Sequence, residues 1–331
     1  MKAAVTIDES SFASLKDKVV VVTGPDGDWE EHPPGENDLQ NSWRWGILDL
    51  EISMIADRST LRVGGSSGIG LATVNLLLSL GAFVVEGDIN APPTSSDRLI
   101  YQRTDVTDWT ELSGLFKRAK TQYGRIDHVF ANAGVSTRTT YTEENIDENG
   151  DLLEPPHHVV DVNLRAMLNT AALAVFYMKP ERQQGGGSLT LTASIVSIQR
   201  FRAADYAVAK HGVLGLMRGL LPNLQRFEIP VRVNTINPSW TDTGLVPASV
   251  LEEVGVKAQL PEAVARSVAL LMTDETRNGQ AIYSVDGKFY EIEESVLLPA
   301  AAGIIGPDRP NEDTVLKMML EKMGGEYHDQ V

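Results

Sequence analysis

Apolar and polar positions along the chain fall into two alternating periods. Short apolar or β-branched runs at residues 18–23 (KVVVVT), 82–88 (AFVVEGD), 126–134 (IDHVFANAG), 187–194 (GSLTLTAS), 231–238 (VRVNTINP) and 281–287 (AIYSVDG) predict strands buried on both faces. Between them, apolar positions at helical spacing predict helices over residues 69–80, 109–123, 158–178, 205–226 and 261–272. Strand and helix alternating in this way mean βαβ units, so the fold class expected is α/β, a doubly wound parallel sheet of about seven strands in a single domain. The domain is expected over residues 15–298, with an N-terminal arm at 1–14 and a C-terminal extension at 299–331. Within the extension, a helix over 312–323 would turn Val315, Leu316, Met319, Leu320 and Met323 toward the body or a partner subunit.

The pattern breaks in one place. The stretch GGSSGIGLATV, residues 64–74, reads as a glycine turn opening into a helix, which lets backbone approach a pyrophosphate and aims free N–H groups at it. Such a turn needs a strand directly before it, and MIADRSTLRV is not one. Removing residues 25–64 joins KVVVVTG to GSSGIGLATV, a continuous strand, turn and helix start. The strand is therefore expected at 19–22, with a 40-residue insert splitting the turn. The insert carries Trp29, Trp43 and Trp45, and two readings of it stay open: an evolved lid over the adenosine, or translated non-coding sequence such as a retained intron.

Composition narrows the function. At 331 residues and 42% hydrophobic, the chain can bury a large core. It has no cysteine, which excludes disulfides, thiolate metal sites and cysteine nucleophiles and suits a reducing compartment. No metal site is expected. The start MKAAVTIDESSF lacks the apolar core of a secretory signal, and no run approaches the ~18 apolar residues of a membrane span. A cytoplasmic protein without a membrane partner is expected. The net charge of −16 argues against nucleic acid, and residues 25–64 and 291–331, each with nine acids against three bases, supply most of it.

Two further features carry chemistry. Asp88 ends the second strand 18 residues beyond Gly70, an offset at which a carboxylate can bond an adenosine ribose and repel a 2′-phosphate, favouring NAD over NADP. Taken alone, it reads better as a strand-end Asp capping a turn. In DYAVAK, Tyr206 and Lys210 lie four apart on one helix face, where an ammonium would pull the phenol from its usual pKa of about 10 toward working pH. The pair alone also occurs by chance on many helices.

The order of these motifs resembles the short-chain dehydrogenase/reductase family over residues 15–290, insert excepted. VTG with GSSGIG matches its glycine motif, Asp88 its NAD-type acid, TDV (104–106) its adenine-side motif and ANAG (131–134) its fourth-strand motif. Asn163 in DVNLRA, Ser194 in LTAS, YAVAK and NPSWTDT match the remaining positions. The resemblance implies Asn163, Ser194, Tyr206 and Lys210 as catalytic residues. It implies a nicotinamide dinucleotide held by Gly24, Ser66, Ser67, Ile69, Asp88, Asp105, Val106, Asn132, Tyr206, Lys210, Thr241 and Thr243. Ser194 would bond the substrate oxygen, Tyr206 would exchange its proton, Lys210 would hold the nicotinamide ribose, and Asn163 would hold a water on the proton path.

The chain departs from the family pattern at the insert, at Ser239 in place of a glycine, and in the spacing of 12 from Ser194 to Tyr206, one shorter than expected. Val196, Phe201, Trp240, Leu245 and Val246 are candidates for an apolar pocket wall, so a hydrophobic secondary alcohol or ketone is the expected substrate class. The alternative is a catalytically silent nucleotide-binding or scaffold protein, its turn disrupted by the insert. Helices apolar on two sides (AALAVFYM, GVLGLMRGLL) predict a homodimer or homotetramer.

Overall fold

The computed structural model describes residues 4–24, 66–139, 141–243, 248–306 and 308–322. The insert at 25–64, and with it the choice between lid and non-coding segment, lies outside the described residues.

Among the described residues, nine strands form one sheet: β1 (Ala4–Val5), β2 (Val19–Thr23), β3 (Phe83–Asp88), β4 (Leu99–Arg103), β5 (His128–Ala131), β6 (Gly187–Thr192), β7 (Val231–Pro238), β8 (Ala281–Val285) and β9 (Lys288–Glu291). Their order is β1-β9-β8-β7-β6-β5-β2-β3-β4. The seven from β8 to β4 are parallel, as the alternation of periods predicts, and β9 and β1 add an antiparallel edge. The edge turns back at Asp286-Gly287, both at positive φ (49° and 69°), the backbone that a two-residue hairpin with the right-handed twist requires.

The helices are α1 (Gly68–Ser79), α2 (Trp109–Tyr123), α3 (His158–Met178), α4 (Ala204–Arg226), α5 (Ala248–Glu253), α6 (Pro261–Thr273), α7 (Leu298–Ile305) and α8 (Glu312–Lys322). Each face of the sheet has its own apolar cluster. On one, Val20, Val22 and Val84 pack against Val74 and Leu77 of α1 and Val264 and Leu271 of α6. Phe12 and Leu15 join this cluster from a 3₁₀ helix, Glu9–Leu15, so the N-terminal stretch is part of the packed body. On the other face, Val21, Val129 and Leu189 meet Phe116 of α2, Met167 of α3 and Val213 of α4.

Local chemistry sets the helix ends. The Asp108 carboxylate accepts from Thr110 N and Glu111 N at the start of α2, and Gly124, at φ 72°, ends it. Helix α3 is long and apolar enough to cross a membrane, yet half of that stretch is buried inside the protein. Of the expected apolar face of α8, Leu320 is buried and Val315 partly so, Leu316 and Met319 are 49% and 53% exposed, and Met323 lies outside the described residues.

The split turn is resolved at its two ends. Gly24 N donates to Gly87 O, and Ser66 N donates to Asp88 Oδ2 at 3.0 Å. The chain leaves and re-enters on adjacent residues of β3, so β2 and α1 stand as one strand-turn-helix unit despite the intervening sequence. The strand of the glycine turn is β2, fully buried between β3 and β5.

Candidate active site

Parallel strands point their carboxyl ends one way, and in sheets of this order a ligand sits where the connections diverge, here between β2 and β5. Gly24, Asp88, Asn132 and Ser194 all lie at or just past that edge.

Asn163 sits in a π-wound turn, Asp161–Arg165, within α3, a local widening common at functional sites. Its amide is spent on one neighbour: Oδ1 accepts from Val135 N (2.7 Å) and Nδ2 donates to Val135 O (2.9 Å). The loop after β5 is thereby pinned to α3. Gly134 lies between the same groups: a Cβ there would stand at ordinary contact distance, 3.4 Å from Asn163 Oδ1 and 3.6 Å from Lys210 Nζ. Asn163, Gly134 and Lys210 therefore converge on one point.

Ser194 caps the 3₁₀ turn Ile195–Ile198, accepting from Val196 N at 3.2 Å, while Ser197 Oγ bonds Ser194 N and donates to Lys210 O. The strand end carrying Ser194 is thus tied to the helix carrying Lys210. The Ser194 hydroxyl also hydrogen-bonds the Tyr206 phenol and favours its ionisation, but burial outweighs it and the phenol is pushed above its usual value. This corrects the expected lowering of Tyr206 by Lys210. The lysine is itself 2% exposed, its pKa depressed by burial to about 8, and Nζ donates to Thr192 O (2.9 Å), 5.5 Å from the phenol ring centre.

At the nucleotide end, Asp88 accepts from Ser66 N and from Asn90 N (2.9 Å), and burial raises its pKa. Ser66 Oγ donates to Glu86 Oε1 at 2.8 Å. Ser67 precedes α1, and Ile69 is buried in its first turn. Asp105 accepts from Thr107 N and Oγ1 and Val106 is buried, forming a turn beyond β4. Thr241 bridges Gln259 after β7, and Thr243 follows it. A dinucleotide fits these residues: Asn132 Nδ2 and Thr23 Oγ1, at the ends of β5 and β2, are buried donors without a partner.

Of the pocket wall, Val196 is buried, while Phe201 and Trp240, each 41% exposed, stand with ring centroids 6.2 Å apart. Leu245 and Val246 lie outside the described residues. Sequence reasoning missed Glu86 and Asp205. Both are buried carboxylates, and Glu86 was visible as one acid inside an otherwise apolar strand, FVVEGD. Asp205 had no comparable signal, because an acid in a first helical turn is ordinary.

Comparison with known proteins gives the chain's relatives. A family model described as short chain dehydrogenase matches residues 59–253. That match begins inside the insert and so leaves out β2, which the structure restores to the sheet. The chain is 47% identical over 283 residues to the short-chain dehydrogenase/reductase ascJ of Acremonium egyptiacum, covering 84% of this chain and 96% of that protein. It is 30% identical over 252 residues to cis-4-hydroxycyclohexanecarboxylate dehydrogenase of Sinomonas cyclohexanicum, covering 71% and 97%. The fold matches aldohexose dehydrogenase of Thermoplasma acidophilum with a TM-score of 0.60 at 21% identity, covering 91% of this chain and all of that one.

Proposed function

The chain belongs to the short-chain dehydrogenase/reductase family and is an NAD(P)-type oxidoreductase, and we propose that it interconverts a hydrophobic secondary alcohol and its ketone with Tyr206 as general acid and base. The observation that carries this reading is the convergence of Asn163, Gly134 and Lys210 beside a phenol hydrogen-bonded to Ser194.

In the oxidative direction Ser194 holds the substrate oxygen and Tyr206 takes the hydroxyl proton. A bound nicotinamide supplies the hydride acceptor. Lys210 is free to leave Thr192 O for ribose hydroxyls, and its charge beside the phenol then opposes the burial that raises the Tyr206 pKa. Asn163 keeps the loop after β5 in register and borders the proton path.

NAD is preferred to NADP in this reading, because a buried Asp88 carboxylate repels a 2′-phosphate. The apolar substrate class rests on the exposed Phe201–Trp240 pair. It is supported by a relative whose name records an alcohol on a cyclohexane ring. Assembly as a homodimer or homotetramer is supported by Leu168 and Phe176 on α3 and Val208 on α4, all large, apolar and exposed.

The test is an NADH absorbance screen over lipophilic secondary alcohols, followed by Tyr206→Phe. Turnover lost in that variant with NADH binding kept is the expected result. Turnover that survives it overturns the mechanism, and NADH binding without turnover on any alcohol or ketone supports a silent binding protein instead.

A further inference from the structure

Asp205 directly precedes Tyr206 and is 1% exposed. A buried carboxylate is costly unless its lone pairs are filled, and here three of the four donors come from one short stretch of chain, 137–139. Oδ2 accepts from Arg138 N and Thr139 N, both at 2.9 Å, while Oδ1 accepts from the Thr137 hydroxyl and from Tyr206 N (2.6 Å).

Two structural circuits close through this side chain. The N-cap of helix α4 is Ala203, which has no side chain able to cap it, and Asp205 takes up the Tyr206 N–H of the first turn. On the other side, residues 137–139 continue the loop in which Val135 grips Asn163 from both its N–H and its C=O. Asp205 therefore bonds the helix carrying Tyr206 and Lys210 to the loop that fixes Asn163. Four donors reach this one carboxylate, three of them across a sequence separation of 66–68 residues.

We propose that Asp205 is a positioning residue for the reaction, setting the Tyr206 end of α4 against the loop after β5 so that the phenol, Ser194 and the Asn163 side of the site keep one spacing. The inference rests on the reading of Tyr206 as the proton-transfer group. It concerns placement rather than charge, because the carboxylate contacts only N–H and O–H donors of the chain itself.

The test compares Asp205→Ala, Thr137→Val and their double variant with Tyr206→Phe, measuring kcat on the best alcohol from the screen and NADH Kd by fluorescence. Asp205→Ala is expected to lower kcat at least tenfold with NADH Kd within twofold, because Ser66, Asp88 and Asp105 on the adenosine side lie on other elements. Thr137→Val, which removes one bond of the four, is expected to lower kcat severalfold alone and to add nothing in the Asp205→Ala background. It also keeps the test alive should Asp205→Ala fold poorly. An unchanged kcat in both single variants overturns the inference, as does a parallel rise in NADH Kd, which marks general loosening. Full turnover in Tyr206→Phe overturns the parent reading instead, so the two failures are distinct.

Discussion

Ser66 N and the Asp88 carboxylate, 22 residues apart, are joined at 3.0 Å, so the residue proposed to discriminate the nucleotide also holds the returning end of the split turn. Asp88→Ala is expected to act twice. It removes the proposed ribose contact, and it frees Ser66 at the entry of α1. NAD Kd should rise tenfold or more, about 1.4 kcal/mol, while NADP Kd falls or stays level. A titration of both cofactors checks this, and an unchanged NAD Kd would contradict the placement of the ribose.

Glu86 gives a pH signature. It is buried on β3 with Oε2 lacking any partner, and burial together with nearby Asp88 moves its pKa from 4.5 to about 7, against the bond from Ser66. Tyr101, paired with it on β4, is a third titratable group there and is raised by burial and then by the Asp88 and Glu86 carboxylates. An acid whose folded pKa is raised costs nothing below its unfolded value and costs most above its folded one. Stability is therefore lost as pH rises from 4.5 to about 7, at about 1.4 kcal/mol per unit of displacement. Glu86→Gln should raise the Tm by several degrees at pH 8 and leave it unchanged at pH 4.5, read by thermal melts at both.

Deleting residues 25–64 should leave the body intact, since Gly24 and Ser66 already dock on adjacent residues of β3. The rejoined turn should bind NAD about tenfold more tightly, the worth of one or two hydrogen bonds to a charged group. Isothermal titration of full-length and deleted protein decides it: weaker binding after deletion would make the insert a lid.

Trp240→Ala should raise KM for lipophilic alcohols about tenfold and for short ones much less, with NADH Kd unchanged, because only the exposed Phe201–Trp240 pair is altered. Equal effects on long and short alcohols would remove the aromatic pair from the substrate wall.

The sequence was most legible where one period ran long. The helices over 109–123 and 158–178 coincide with α2 and α3, and the buried run VVVVT is β2. Short edge elements were not legible. Ala4–Val5 is too brief to show alternation, and LIYQR of β4 mixes polar and apolar positions because it is only partly buried and ends exposed at Arg103. The Asp286-Gly287 turn was a usable hairpin signal beside AIYSV, and it marks β9. At the site, residue types announced the phenol and the lysine, but their proton affinities depend on burial, which no spacing encodes. Asp205 shows the same limit: three of its four bonds go to residues far off in sequence.

The break at the glycine turn has a consequence for how the molecule could be assembled. The piece before it ends in β2, flanked in register by β3 on one side and β5 on the other, with Phe12 and Leu15 as its apolar anchor. The piece after it holds every other strand except β1. Loop closure across any length of intervening chain adds only about 0.6 kcal/mol per doubling. Supplied as two separate polypeptides, the fragments would meet as a strand entering a waiting slot, and the slot tells them which way round to fit. The protein is, in effect, a natural template for fragment complementation, with cofactor binding as its reporter.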